Sequence, residues 1–167
     1  MTRSRRRATA TVLSIALVVG PIVTWLAAPS SAQTQIRVLD HEGPYEKDLD
    51  LGKEGTSPGD LTLGSHALYD ADDPTAIVGH DFERLTILRV RSGGEDLDFI
   101  YDSTLRFRGS DIVLYGEGRY SDIFTSEGVT VPVTGGTGIY AGASGTATFT
   151  ATQNEGETLI TIDLIAP

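Results

Sequence analysis

Val133-Thr134-Gly135-Gly136-Thr137-Gly138-Ile139-Tyr140-Ala141-Gly142-Ala143 decides how this chain folds. Its glycines have the spacing of a loop that cradles a phosphate. The context is wrong for that role: no Gly-Lys-Ser/Thr follows, and no strand–helix–strand unit surrounds it. What the glycines do supply is access to positive φ. The stretch therefore reads as a tight reversal between two strands, with Tyr140 placed to plug the end of the structure the strands enclose.

Working outward, the chain after residue 33 shows no convincing 3.6-residue period. It shows short β-rich runs cut by Gly, Pro, Asp and Ser. Strands are expected near Ile36–Glu42, Asp60–Tyr69, Val78–Arg91, Asp98–Arg108, Asp111–Tyr120, Gly128–Val133, Ala143–Thr152 and Thr158–Ile165. The breakers include Asp70-Ala71-Asp72-Asp73-Pro74, Ser92-Gly93-Gly94 and Asn154-Glu155-Gly156. Eight strands joined mostly by short turns predict an all-β domain, a small antiparallel eight-stranded barrel that leaves no exposed sheet edge. Pattern alone also admits a β-sandwich. Gly43–Gly59 is rich in Asp, Glu, Lys, Gly and Pro and reads as a mobile loop. It is either a cover over a barrel mouth or a solvated connector.

The first 32 residues are different. Arg3, Arg5, Arg6 and Arg7 precede an uncharged apolar run from Ala8 to about Ala28, which holds the only tryptophan, Trp25. Pro29-Ser30-Ser31-Ala32 then offers a small-residue cleavage site. Residues 1–32 read as a secretory signal peptide or, if uncleaved, a membrane anchor helix. Residues 33–167 are the barrel domain. The expected location is outside the cell, secreted or held at the outer face of the cell membrane.

Removing the leader leaves nine basic residues against all 23 acidic ones, a formal charge of −14. Such a surface repels nucleic acid and anionic lipid, so contact with a membrane is expected only through an uncleaved leader. There is no cysteine. That excludes thiol catalysis and thiolate metal sites, and it leaves stability to the core alone.

The period of two sorts the candidate site residues. Ile36, Val38, Asp40 and Glu42 share one strand face, an apolar face ending in two carboxylates, as expected of a cavity wall near its mouth. Two close carboxylates raise one another's pKa and serve as acid and base, so Asp40 and Glu42 are candidate catalytic groups. Each also fits a solvated strand end. His66 shares a face with Gly64 and Leu68, where it would orient a carbonyl, shuttle a proton, or simply line a rim. On the next strand Gly79, Asp81, Glu83, Leu85 and Ile87 alternate with His80, Phe82, Arg84, Thr86 and Leu88. Neither face is purely apolar, and periodicity does not say which points inward. Phe99, Tyr101, Ser103, Leu105 and Phe107 form a clear inner face, with Tyr101 the best candidate for a cavity hydroxyl. The three histidines, His41, His66 and His80, lack ligand spacing with a carboxylate on one strand face, so no metal site is expected.

Several stretches resemble the allene oxide cyclase family. Pro58-Gly59-Asp60-Leu61, Leu68-Tyr69-Asp70 and Val78-Gly79 resemble its second and third strands. Asp98-Phe99-Ile100-Tyr101, Gly116-Glu117-Gly118 and Val133-Thr134-Gly135-Gly136-Thr137-Gly138 resemble its later block. The likeness covers roughly Ile36 to Thr152. It extends to the dirigent proteins, and Leu68-Tyr69-Asp70-Ala71 with Val78-Gly79 is similar to a pattern of the bacterial spirotetronate cyclases. The resemblance implies a barrel that binds a hydrophobic, polyketide- or lipid-derived intermediate and folds it for intramolecular ring closure, as a cyclase or isomerase without cofactor or metal. Asp40 stands where the family has a glutamate, one methylene longer. Glu42 and His66 stand where it has asparagines, and Leu85 falls near its third-strand cysteine. Phe99, Tyr101 and Leu85 would contact the guest. The alternative is a secreted, non-catalytic lipophile-binding or dirigent-type barrel. Self-association is expected by the same resemblance.

Overall fold

The computed structural model describes residues 33–43, 45–91, 93–94 and 96–165. The expected leader lies outside them. Among the described residues there are nine strands: β1 (Gln33–His41), β2 (Lys47–Leu49), β3 (Leu61–Asp70), β4 (Ile77–Val90), β5 (Leu97–Phe107), β6 (Ser110–Arg119), β7 (Val129–Gly136), β8 (Ser144–Ala151) and β9 (Glu157–Ile165). All pairings are antiparallel, in the order β1-β9-β8-β7-β6-β5-β4-β3-β2, and β1 also pairs with β3. That last pairing, Val38↔Asp70 to His41↔Ala67, closes eight strands into a barrel. The three-residue β2 is an extra rung on β3. The barrel, and not the sandwich, is the outcome of the alternating pattern. Among the described residues no helix is long and apolar enough to cross a membrane.

The two ends of the barrel differ. One end is packed solid. Leu68, Leu105, Ile112, Leu114 and Ile162 are fully buried, with Phe107 and Leu164 beside them. Tyr140 packs on this cluster with its ring edge toward Phe107, at 6.1 Å between centroids. The glycine-rich reversal makes that closure possible. Gly138 has φ +58°, and a Cβ there would collide with the Ser110 Oγ that accepts the Ile139 N–H. Thr137 ties the turn to β6, donating its N–H to the Asp111 carbonyl while its Oγ1 accepts the Asp111 N–H.

β4 settles which of its faces turns inward. Asp81 and Glu83 face the interior, in register with Leu105 and Ser103 of β5. His80, Phe82 and Arg84 face out. The outer face satisfies itself: Arg84 pairs with Asp102, and Arg106 pairs with Asp111 while its guanidinium lies over the Phe82 ring at 5.5 Å. Ile87 keeps the inward phase of Asp81, Glu83 and Leu85, and a register shift between Ile87 and Arg89 then leaves Leu88 and Arg89 both exposed.

The segment after β1 is tied down, contrary to the expectation of a mobile loop. Buried Asp60 accepts the N–H groups of Leu51, Gly52 and Ser57 at 2.9, 3.2 and 2.7 Å. These donors, Leu51 foremost, hold its carboxyl below the usual range. Tyr45 accepts the Ser65 N–H, and β2 pairs with β3. Sequence composition misses this because the organising group, Asp60, lies outside the polar run that it organises.

The two-ended packing has a measurable consequence. Leu105→Ala, in the solid end, should cost about 2–5 kcal/mol, because the rigid surroundings leave a cavity. Leu85→Ala, which only enlarges an existing space, should cost clearly less. Chemical denaturation of the two variants measures the difference, and equal costs would contradict the division.

Candidate functional site

The other end is hollow. A cavity of about 270 Å3 opens where β1, β4, β6 and β8 end and where β3, β5, β7 and β9 begin. Leu85, Ile87, Phe99, Val129, Val131 and Phe149 form its wall. Glu42, Glu46, Thr62, Tyr120 and Thr158 ring its mouth, with both glutamates exposed. Its floor is polar, built from Asp40, His66, Glu83 and Tyr101.

Strand geometry brings the floor together. Asp40 is the last inward residue of β1 before Glu42, and it sits opposite Leu68 on β3. Two residues from Leu68 on the same face is His66, itself opposite Asp81. Gly64 lies opposite Glu83. A Cβ at Gly64 would lie 2.7 Å from His66 Nε2 and 2.8 Å from Glu83 Oε1, so the missing side chain is what lets those two approach.

His66 is buried, and its two ring nitrogens face different acids. Nδ1 donates to Asp40 at 3.3 Å to Oδ2, with Oδ1 at 3.2 Å. Nε2 points toward Glu83 Oε1 at 3.9 Å, too far for a hydrogen bond. Nε2 and Asp40 Oδ1 are both buried without a hydrogen-bond partner. The Asp40 hydrogen bond, aided by the charges of Asp40, Glu83 and Asp81, overrides desolvation and raises the imidazole to about 9. It is an imidazolium at neutral pH.

Asp81 lies beneath the floor and is completely buried. Tyr101 Oη donates to its Oδ2 at 2.8 Å, and Ser103 Oγ bonds its Oδ1. Desolvation, with the charges of Glu83 and Asp40, pushes it to about 8. Burial likewise raises Glu83, and burial foremost raises the Tyr101 phenol well above its usual range. The floor therefore holds one imidazolium–carboxylate pair, with Asp81 beneath it and Glu83 beside it both shifted upward by burial. This is the arrangement in which environments drive titrating groups apart and prepare an acid and a base side by side.

Asp40, His66 and Glu83 bring three donor atoms within 4.8 Å, which invites a metal ion. Because Nδ1 faces Asp40 and Nε2 faces Glu83, no single nitrogen of His66 faces both carboxylates. The set fits a proton-exchanging row better than a coordination sphere.

All six candidate residues from sequence border this one cavity. Asp40, His66 and Tyr101 are on the floor, Phe99 and Leu85 on the wall, and Glu42 at the exposed rim. Asp81 and Glu83 were not singled out. The only signal for them was the mixed polarity of β4, and it becomes decisive only when paired with the unambiguous inner face of β5.

Both large shifts act on stability in the same direction. His66 rises from 6.5 to about 9 on folding, so its contribution is complete below about 6.5 and is lost as pH climbs through 9. Asp81 rises from 3.8 to about 8, so the fold is favoured while this acid stays protonated and loses stability between about pH 4 and 8. We expect the melting temperature to fall from pH 6 to pH 9. Asp81→Asn should flatten the decline below pH 8, and His66→Asn the part from 6.5 to 9. A wild-type profile level across that range would contradict both assignments.

No family model matches the chain, and no curated protein matches it. Solved structures do. A pyocyanin demethylase superposes with a TM-score of 0.62 at 21% identity, covering 78% of this chain and 99% of that one. The pterocarpan synthase dirigent protein PsPTS1 gives 0.57 at 16%, covering 81% and 94%. The Diels-Alderase AbmU from Streptomyces koyangensis gives 0.60 at 19%, covering 79% of this chain and 63% of that one. The chain has the barrel fold that dirigent proteins and these cyclases share.

Proposed function

We propose that the barrel is an enzyme that takes a small hydrophobic molecule through its open end and promotes ring closure or isomerisation with protein groups alone. The observation that carries this reading is the floor: a buried imidazolium whose free Nε2–H faces an apolar cavity beside the carboxyl of Glu83. A barrel that merely bound lipophiles would gain nothing from four ionisable groups at the base of its pocket, since each costs desolvation.

In the proposed reaction the wall confines the guest to a reactive fold, and the floor handles its protons. His66 Nε2 donates to an oxygen that gains negative character. Glu83, as carboxylate, accepts a proton from a neighbouring position and returns it, so the step is an isomerisation with no net proton change. Asp40 keeps His66 charged and fixes its ring. Tyr101 shapes the floor and is held by Asp81, which acts through it as a positioning residue. The resemblance to Diels-Alderases and dirigent proteins supports the confinement, and the buried acid–base row supports the chemistry.

The test incubates the protein with a panel of polyenes and epoxides and follows product stereochemistry. We expect His66→Gln and Glu83→Gln each to slow turnover by about 10²–10⁴-fold while leaving binding in place, and Asp40→Asn to slow it and lower the pH at which activity is lost. Chelators should leave the rate unchanged. Binding of the panel with no conversion by the wild type would overturn the enzyme reading in favour of a dirigent-type or lipophile-binding barrel.

A further inference from the structure

We infer that the barrel admits its guest by parting between β6 and β7, which makes one side of the mouth a hinged seam; this rests on the reading of the cavity as a guest pocket and concerns only how that pocket opens.

Strand pairing is uneven around the barrel. Among the described residues β5 and β6 share ten residue pairs and β8 and β9 share eight, whereas β6 and β7 share three: Ile112↔Gly136, Val113↔Gly135 and Leu114↔Val133. Both strands run on toward the open end beyond the last of these. β6 stays laddered to β5 as far as Arg119, and β7 is laddered to β8 from Val129 onward. Residues 115–119 of β6 and 129–132 of β7 therefore lie side by side without pairing. The break begins at a register shift between Val113 and Leu114, where the Thr134 hydroxyl donates to the Val113 carbonyl at 3.2 Å. Pro132, beyond it, has no N–H to give to any ladder.

What holds the seam shut is apolar contact. Gly116 and Gly118 continue the inward phase of Ile112 and Leu114 along β6. A Cβ on Gly116 would lie 2.8 Å from Val131 Cβ, and one on Gly118 would lie 2.5 Å from Val129 Cγ1 and 2.9 Å from Phe99 Cζ. Val129, Val131 and Phe99 all line the cavity, so the seam is also its wall. Parting the strands here gives up these contacts and no residue pair of the ladder. The other edge of the same β6 segment holds five pairs to β5, from Asp98↔Arg119 to Asp102↔Tyr115. Where backbone pairing is sparse, local opening comes first.

The connection between the two strands leaves them free to separate. Its two ends are fastened to opposite sides of the seam. Ser121 donates its N–H to Asp96 Oδ1, beside β5, at 3.0 Å. Gly128, with φ +68°, lies so close to β8 that a Cβ there would collide with the Phe149 carbonyl oxygen. Between them residues 122–127 include no buried side chain, and only Ile123 packs on the core. This stretch is slack that lets the two sides move apart. The hinge is the short ladder that remains, at the packed end, where Ile112 and Leu114 are fully buried.

The chain has no cysteine, so an introduced pair forms the sole disulfide. Glu117→Cys with Thr130→Cys places it on the exposed outer side of the seam, between the Gly116–Val131 and Gly118–Val129 contacts. Thr148→Cys with Thr161→Cys, opposite each other on β8 and β9, is the matching staple across a complete ladder. Hydrogen exchange and stopped-flow uptake of the neutral fluorophore N-phenyl-1-naphthylamine are followed on the full chain, wild type and both variants, oxidised and reduced. In the wild type the seam-facing amides of residues 115–119 and 129–131 should exchange at least about tenfold faster than the amides that join β8 to β9. Oxidising the seam staple should slow those amides, and slow dye uptake and release together by about tenfold with affinity unchanged. Reduction should restore both, and the β8–β9 staple should change neither. Seam amides as protected as those between β8 and β9, or dye uptake that the oxidised seam staple leaves unchanged, would overturn the inference. A wild type that opens at the seam but takes up no dye sinks the pocket reading instead and leaves the hinged seam standing.

Discussion

The ion pair of Asp40 and His66 is the constraint around which the open half of the barrel is arranged. Asp40, Asp81 and Glu83 lie within one interior layer, contributed by β1 and β4, and buried carboxylates in that number do not coexist as free anions. The imidazolium compensates one. Asp81 stays protonated under Tyr101 and Ser103, and Glu83 is biased the same way. Removing His66 would leave Asp40 an uncompensated buried charge. Removing Asp40 would return the imidazole toward neutrality. The two halves of the pair come from β1 and β3, the strands whose pairing closes the barrel, so closure of the fold and assembly of the floor are a single event.

That coupling explains the uneven packing. The solid end, from Leu105 and Ile112 to Tyr140, buries mainly apolar side chains and carries the stability of a domain that has no disulfide. The open end departs from good packing at several points at once: charge in the interior, unsatisfied polar atoms, empty volume. Departures of this kind are concentrated where a protein does something other than fold. Gly64 shows the same trade at one residue, since a side chain there would fill the gap between His66 and Glu83.

The strands were legible from the sequence because each alternates over a core face and ends at a strong breaker. All eight barrel strands occur where the pattern places them, within a few residues. The added strand, β2, is three residues long in a polar stretch and owes its existence to Asp60 and to pairing with β3, neither of which leaves a local pattern. The site was legible in part. Asp40, His66, Tyr101 and Phe99 follow from period-two reasoning on their strands, whereas Leu85, on β4, follows only from the family resemblance. Asp81 and Glu83 do not, because β4 carries charge on both faces. A strand so patterned is ambiguous until its neighbour's register is known, and the outer face of β4 hides the answer further by pairing Arg84 across to Asp102.

On the proposed reading, magnitudes assign most of the work to the wall. Holding a flexible molecule in a reactive fold is worth up to about 7–11 kcal/mol of barrier, whereas a positioned acid or base contributes about 10²–10⁴ in rate. The floor is then a refinement on a reaction that the shape of the cavity already favours. This ordering accounts for how one barrel fold is common to dirigent proteins and to cyclases: the confining wall comes with the fold, while the residues at the base of the cavity can change. It also locates the individuality of this chain. The fold supplies the tube, but the imidazolium between two acids and the apolar wall above it belong to these particular residues, and on this reading they decide which molecule is confined.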